Sequence, residues 1–181
     1  MGTEVARSKP AGYMSPSSVA LYGVLTALTA AVTYASYTPF SPTKGYFNLG
    51  DAMVFFSALT FGIRAGGICG GVGSAAADIL LGSGIFAPLT LVAKGSEGAV
   101  CGLVYRIGGR RQWAMIAGVA AGGTCMIVSY FLGEWLVLGM GLAKAAAEIP
   151  INIGQVVIGG AIGGLLAYYI RKSYKSPLIE A

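Results

Sequence analysis

The sequence predicts an all-α integral membrane protein, a bundle of six transmembrane helices with both termini in the cytoplasm. Three observations carry that expectation. Only 10% of the 181 residues are charged and 55% are hydrophobic, where a soluble globular domain carries about 25% charged residues. The mean hydropathy is +0.72. The apolar residues gather into six runs, near 18–38, 49–62, 63–81, 85–107, 113–132 and 144–170, most of them close to the roughly 20 residues that one crossing needs.

Taken in order, residues 1–17 are polar, rich in Ser, Pro and Gly, and read as a short cytoplasmic tail. The apolar run that follows continues to about Tyr37, longer than the core of a signal peptide, so it reads as a retained first helix. The second run is short for a full crossing and is expected to borrow from Tyr46 and Phe47, to tilt little, or to line a cavity instead of lipid. The connectors fall at 38–48, with Pro39 and Pro42, then near 62–67, 82–84, 108–112 and 133–143. A second cytoplasmic tail is expected at 172–181, which leaves 18–171 as one transmembrane substrate-binding domain.

Orientation follows from Lys and Arg. With six crossings, the side shared by the termini and the second and fourth connectors holds Arg7, Lys9, Arg64, Arg106, Arg110, Arg111, Arg171, Lys172 and Lys175. The opposite side and the membrane interior hold Lys44, Lys94 and Lys144. Nine against three is a positive-inside bias. Because the basic residues sit singly or in pairs at the ends of apolar runs, the net charge of +5 reads as topology signal and not as a nucleic-acid stripe.

Several chemistries are disfavoured. There is no histidine, which removes the usual metal ligand and general base of zinc and Ser-His membrane proteases. No GxxxxGK[ST] loop is present, so ATP-driven work falls to a partner. Cys69, Cys101 and Cys125 lie in apolar segments without CxxC spacing and read as small buried hydrophobes. No enzymatic activity, cofactor or metal is expected.

The stretch 48–97 carries the informative polar residues. Asp51, Asp78, Lys94 and Glu97 lie in or beside apolar runs, where an ionised group costs roughly 2.5–3.5 kcal/mol on insertion scales. At about 1.5 Å per residue, all of them fall in one half of the membrane, the half away from the termini. Glu148, Asn152 and Gln155 in the sixth run fall in the same half. A cavity open to the exterior and closed below accounts for that asymmetry.

Each group also has a plainer account. Glu148, Asn152 and Gln155, at i, i+4 and i+7, share one helical face and suit either a heteroaromatic or amide-bearing solute or interhelical hydrogen bonding. Pro150 is expected in the first turn of that helix. Lys94 and Glu97, one turn apart, read equally as an ion pair or as solute contacts, and Asp78 is a second candidate partner for Lys94. Asn48 and Asp51 have capping-box spacing. Gly66, Gly70 and Ser74 on the third helix suit close packing in the bundle. The ladder Gly23, Ala27, Ala31 and Ala35 on the first suits either that or another protein. Aromatics near the outer ends, Trp135 and Tyr46–Phe47 among them, suit an interfacial belt or stacking on a planar ligand.

YFNLGDAMVFFSALTFG, RAGGICGGVGSAAADILLG and APLTLVAKGSEGAVCG occur in that order between Tyr46 and Gly102. They resemble the substrate-binding (S) component of energy-coupling factor (ECF) vitamin transporters, in the branch labelled riboflavin or hydroxymethylpyrimidine transport. The resemblance implies a six-helix plasma-membrane protein that captures a micronutrient from outside and joins a transmembrane coupling (T) subunit and two cytoplasmic ATPases. It implies that Ala27 and Ala31, extended by Gly23 and Ala35, meet the T subunit, and that the loaded subunit tips over to release its solute inside. It places solute contacts on the outer loops and helices four to six. With the residues singled out above, the expected site is Asp51, Asp78, Lys94, Glu97, Trp135, Glu148, Asn152 and Gln155. Two other readings remain open at this point: a stand-alone proton-coupled transporter running on Lys94, Glu97 and Asp78, and a structural subunit whose buried charges only join helices.

Overall fold

The computed structural model describes residues 15–39 and 45–174. Six α-helices run through them: α1 Pro16–Ala35, α2 Gly50–Phe61, α3 Ile63–Leu80, α4 Ala87–Ile107, α5 Gln112–Leu132 and α6 Leu142–Ser173. Two features were not expected. The connector after α1 carries a two-stranded antiparallel ribbon, β1 Thr38–Pro39 and β2 Tyr46–Phe47, with Thr38 opposite Phe47. A π-helical turn, Gly133–Val137, continues α5 into what reads as a connector. Of the expected tails, residues 1–14 and 175–181 lie outside the described residues, as do Pro42 and Lys44.

The helices alternate in direction, so the starts of α1, α3 and α5 share one end of the bundle with the finishes of α2, α4 and α6. The α1 helix, the α5–π stretch Gln112–Val137 and α6 are long and apolar enough to cross a membrane. Their outward faces carry Val24, Val128 and Leu165, each about half exposed, which suits lipid and not water.

The α2 helix is short, 12 residues, or about 18 Å at 1.5 Å per residue. It also lies deepest, touching α1, α3, α4 and α6, with Val54, Phe55 and Ala58 fully buried. A helix enclosed by protein need not match the thickness of the hydrocarbon layer. Phe55, Leu59, Met126 and Val156 anchor the apolar core.

Small residues set the spacing around α3. It follows α2 with a single residue between them, because Gly62 takes φ 90°, a left-handed conformation that costs glycine nothing. Gly66 then sits between α2 and α4: a Cβ there would lie 2.6 Å from that of Ala58 and 2.7 Å from the Gly98 carbonyl. Gly70 and Gly71 approach the carbonyls of Lys94 and Leu91 in the same way. Close backbone contact replaces the hydrophobic drive that lipid does not supply. Gly98→Ala, whose methyl would meet the Gly66 backbone, is expected to cost about 1–3 kcal/mol. Gly154→Ala, with open space at its Cβ, should gain about 0.5–1 kcal/mol. Thermal unfolding of the two variants in detergent checks both signs.

Pro150 lies eight residues past the first residue of α6 and not in its first turn, because the helix starts at Leu142. The helix runs through it with one backbone hydrogen bond fewer. Cys69 and Cys101 are fully buried, Cys125 is half-buried, and all three thiols are free.

Candidate functional site

The end of the bundle formed by the starts of α2, α4 and α6 collects the buried charged side chains among the described residues and most of the buried polar ones, in two layers. The deeper layer is ionic. Asp51 in the first turn of α2 and Glu97 on α4 are fully buried, and Lys94 on α4 is 3% exposed. The Lys94 ammonium pairs with Asp51 Oδ1 and lies 3.3 Å from Glu97 Oε2. It also sits 5.8 Å from the centroid of the Tyr130 ring, within cation–π range. The α6 helix passes directly over Asp51 at Gly159, where a Cβ would lie 2.5 Å from that of Asp51.

Asp78 makes no salt bridge to Lys94, although both line the same hollow and the ammonium charge is felt at its carboxylate. It stands near the end of α3, one helical stretch closer to the ribbon, and accepts a 2.5 Å hydrogen bond from the Tyr46 phenol on β2. Burial, and then the facing carboxylate, push the Tyr46 phenol above its usual pKa, so it stays a donor. Thr90 on α4 faces the same carboxylate and accepts a 3.0 Å hydrogen bond from the Tyr130 hydroxyl.

The upper layer is a hydrogen-bonded network. The expected face of α6 is present: Glu148, Asn152 and Gln155 are all buried and line one hollow. Gln155 Oε1 accepts from the side-chain amide of Asn48 at 2.7 Å and from its backbone N–H at 3.2 Å. Gln155 Nε2 donates to Asn152 Oδ1 at 3.1 Å. Asn48 Oδ1 accepts from the Gly50 N–H at 2.8 Å, an Asx turn ahead of α2. The capping box therefore does not form: Asn48 precedes the cap position, and Asp51 belongs to the ion pair.

Trp135 does not line the hollow. It is 39% exposed, and its ring packs on Phe131 at 5.9 Å between centroids. The π turn rotates the chain so that the preceding residue, Glu134, faces inward at 1% exposure and meets the carboxyl group of Glu148. Glu134 is the residue that sequence reasoning missed. Its signal was a carboxylate directly following an apolar run. Tyr130, Thr90 and Thr33 line the same space; Thr90 shares the Lys94 face of α4 and Tyr130 is one of the outer-end aromatics, while nothing in the sequence marks Thr33, because hydroxyls are common in membrane helices.

The hollow measures about 40 Å³, room for a water or two. Around it Thr33 Oγ1, Asp78 Oδ2 and Glu148 Oε1, with Asp51 Oδ2 and Glu97 Oε1 below, are buried without a hydrogen-bond partner among the described residues. Each such atom costs about 1–3 kcal/mol unless a donor reaches it. Asp51 and Glu97 are thus joined to the hollow through Lys94 and do not line it themselves.

The first-helix ladder lies elsewhere. Gly23, Ala27, Ala31 and Ala35 are all exposed, while Leu25, Thr29 and Thr33 form the buried face of α1. Of the two accounts that the sequence leaves open for this ladder, packing inside the bundle is excluded.

Comparison with known proteins agrees with this architecture. A family model described as the ECF-type riboflavin transporter, S component, matches residues 13–174. The chain belongs to this family. A protein of Pyrococcus woesei, described as an uncharacterized protein in a gap 3' region, is 37% identical to this S component over 142 residues, 78% of this chain and 93% of the other. A solved structure titled "Structure and mechanism of the S component of a bacterial ECF transporter" superposes with a TM-score of 0.71 over 87% of this chain and 97% of that one. At 20% identity, that likeness establishes a shared fold. An S component is a transporter subunit, which agrees with a protein that is not an enzyme.

Proposed function

We propose that this S component captures a vitamin-sized heteroaromatic solute from outside the cell and passes it to an ATP-driven importer made with a T subunit and two ATPases. Riboflavin, a hydroxymethylpyrimidine-type thiamine precursor and pyridoxine exemplify the solute class. The observation that carries the reading is the set of unsatisfied acceptors converging on one hollow at one end of the bundle. A planar solute rich in N–H and O–H groups would supply the missing donors.

In this reading all six helices traverse the plasma membrane, both termini are cytoplasmic, and the hollow faces out. The domain spans 18–171, with tails at 1–17 and 172–181. Glu148, Asn152 and Gln155 contact the solute, with Asp78 and Glu134 opposite them. Asp51, Lys94 and Glu97 form the floor beneath. Small-molecule sites measure about 300–1,000 Å³, so a solute must part the Tyr46–Asp78 contact and move the Glu148 carboxyl off Gly45, against which it is packed. A proton relay through Lys94, Glu97 and Asp78 is less well supported, because Lys94 is held by Asp51 and Glu97 while Asp78 is held by the Tyr46 phenol.

The test is solute retention. Native mass spectrometry of the purified protein should show a heteroaromatic adduct, and Asn152→Ala should weaken its binding by about tenfold or more, one lost hydrogen bond with its partner left unpaired. Wild-type retention by Asn152→Ala removes the pocket assignment.

A further inference from the structure

A second cavity, of about 500 Å³, opens at the opposite end of the bundle, between the start of α1, the α2–α3 junction and the ends of α4 and α6. Four arginines line it: Arg64, Arg106, Arg110 and Arg171. A positive-inside signal accounts for arginines at this end. It does not require them to surround a hollow, nor does it account for what else lines that hollow.

Three further observations give the cavity a binding chemistry. Arg171 is held in place: its Nη1 donates to the Thr60 carbonyl at 3.0 Å and to that of Leu59 at 3.3 Å, and its guanidinium lies 5.6 Å from the Tyr105 ring centroid. It thereby covers two carbonyls of the last turn of α2, which would otherwise repel an anion. The α3 helix begins beside these groups with no side-chain cap, so its first N–H groups and the positive end of its dipole face the same space. Thr60 is 1% exposed and lines the cavity, and its hydroxyl is buried without a hydrogen-bond partner among the described residues.

The Arg64 and Arg106 guanidinium forks, an uncapped helix start and the unpartnered Thr60 hydroxyl are a donor set that a tetrahedral oxyanion satisfies. We propose that this cavity binds a phosphate group, with the headgroup of an anionic phospholipid as the source that its position at the end of the bundle favours. The inference rests on the membrane setting of the family and is independent of the solute proposed above. A free phosphate anion offers the same chemistry and is separated by experiment.

The protein in a neutral detergent is titrated with dioleoyl phosphatidylglycerol, with dioleoyl phosphatidylcholine, whose choline offsets the phosphate charge, and with inorganic phosphate. Adducts are read by native mass spectrometry. The phosphatidylglycerol adduct should dominate on the wild type, weaken about tenfold or more in Arg64→Gln/Arg106→Gln, and weaken several-fold in Thr60→Val. It should be unchanged in Lys144→Gln, at the other end of the bundle. Inorganic phosphate that displaces the lipid with the same dependence on Arg64 and Arg106 supports the site and makes the soluble anion its ligand. Equal binding of the two lipids, or wild-type affinity in the double variant, overturns the proposal. If the double variant does not fold, the near-isosteric Thr60→Val decides: unchanged phosphatidylglycerol binding there also overturns it.

Discussion

Lys94→Met is expected to cost the protein most of its stability, because it strands two carboxyl groups in the middle of the bundle. Asp51 and Glu97 are fully buried and Lys94 is 3% exposed, so no water replaces the ammonium. Removing one member of a buried ion pair typically costs about 3–5 kcal/mol, against a whole-domain stability of about 5–15 kcal/mol. The variant should unfold well below the wild type in a detergent melt or fail to purify as a monodisperse species. Glu97→Gln should be far milder, since Lys94 keeps Asp51. Replacing the whole triad, Lys94→Met with Asp51→Asn and Glu97→Gln, should recover much of the loss, as neutral groups of similar volume do elsewhere. A Lys94→Met protein that melts like the wild type shows that the lysine is not structural, and the floor assignment then fails.

How much of this was legible before the structure depended on which geometric variable decided it. Helical period fixes azimuth within one helix, so the common face of Glu148, Asn152 and Gln155 could be read from spacing alone. Rise per residue fixes depth, so the crowding of Asp51, Asp78 and Lys94 toward one end could be read too. Neither fixes how two helices are turned toward each other. Asp51 and Asp78 both lie at the right end to meet Lys94, and the choice between them rests on α2 being lodged against α4 and α6. That lodging depends on Gly159 admitting Asp51 and on a helix too short to face lipid. The exchange of Trp135 for Glu134 has a different cause. An α-helical phase carried past Gly133 mispositions every later side chain once a π turn intervenes, and no residue in GEWLV announces the turn. The ribbon that brings Tyr46 to Asp78 was hidden for a similar reason: two residues per strand leave no alternation to detect.

Ala27→Leu with Ala31→Leu is expected to abolish ATP-driven uptake while leaving solute binding and folding intact. Both alanines are exposed on α1, on the face away from Leu25, Thr29 and Thr33, and Gly23 has open space where a Cβ would stand. Larger side chains there meet nothing in the bundle. Among apolar helix faces, one lined by residues this small is the kind that admits another helix to close range, where packing and backbone contacts replace the missing hydrophobic drive. A leucine at a close crossing costs about 1–3 kcal/mol, so two should weaken docking by roughly thirtyfold or more. The control is Val128→Leu, on the lipid-facing side of α5 and away from α1, which should leave docking unaffected. Co-purification with the T subunit and ATPases, uptake, and solute retention should be read on the same variants. Loss of the first two with the third preserved separates capture from coupling. Undiminished uptake by the double leucine variant removes the ladder from the interface, and a partner would then have to approach α1 by another face.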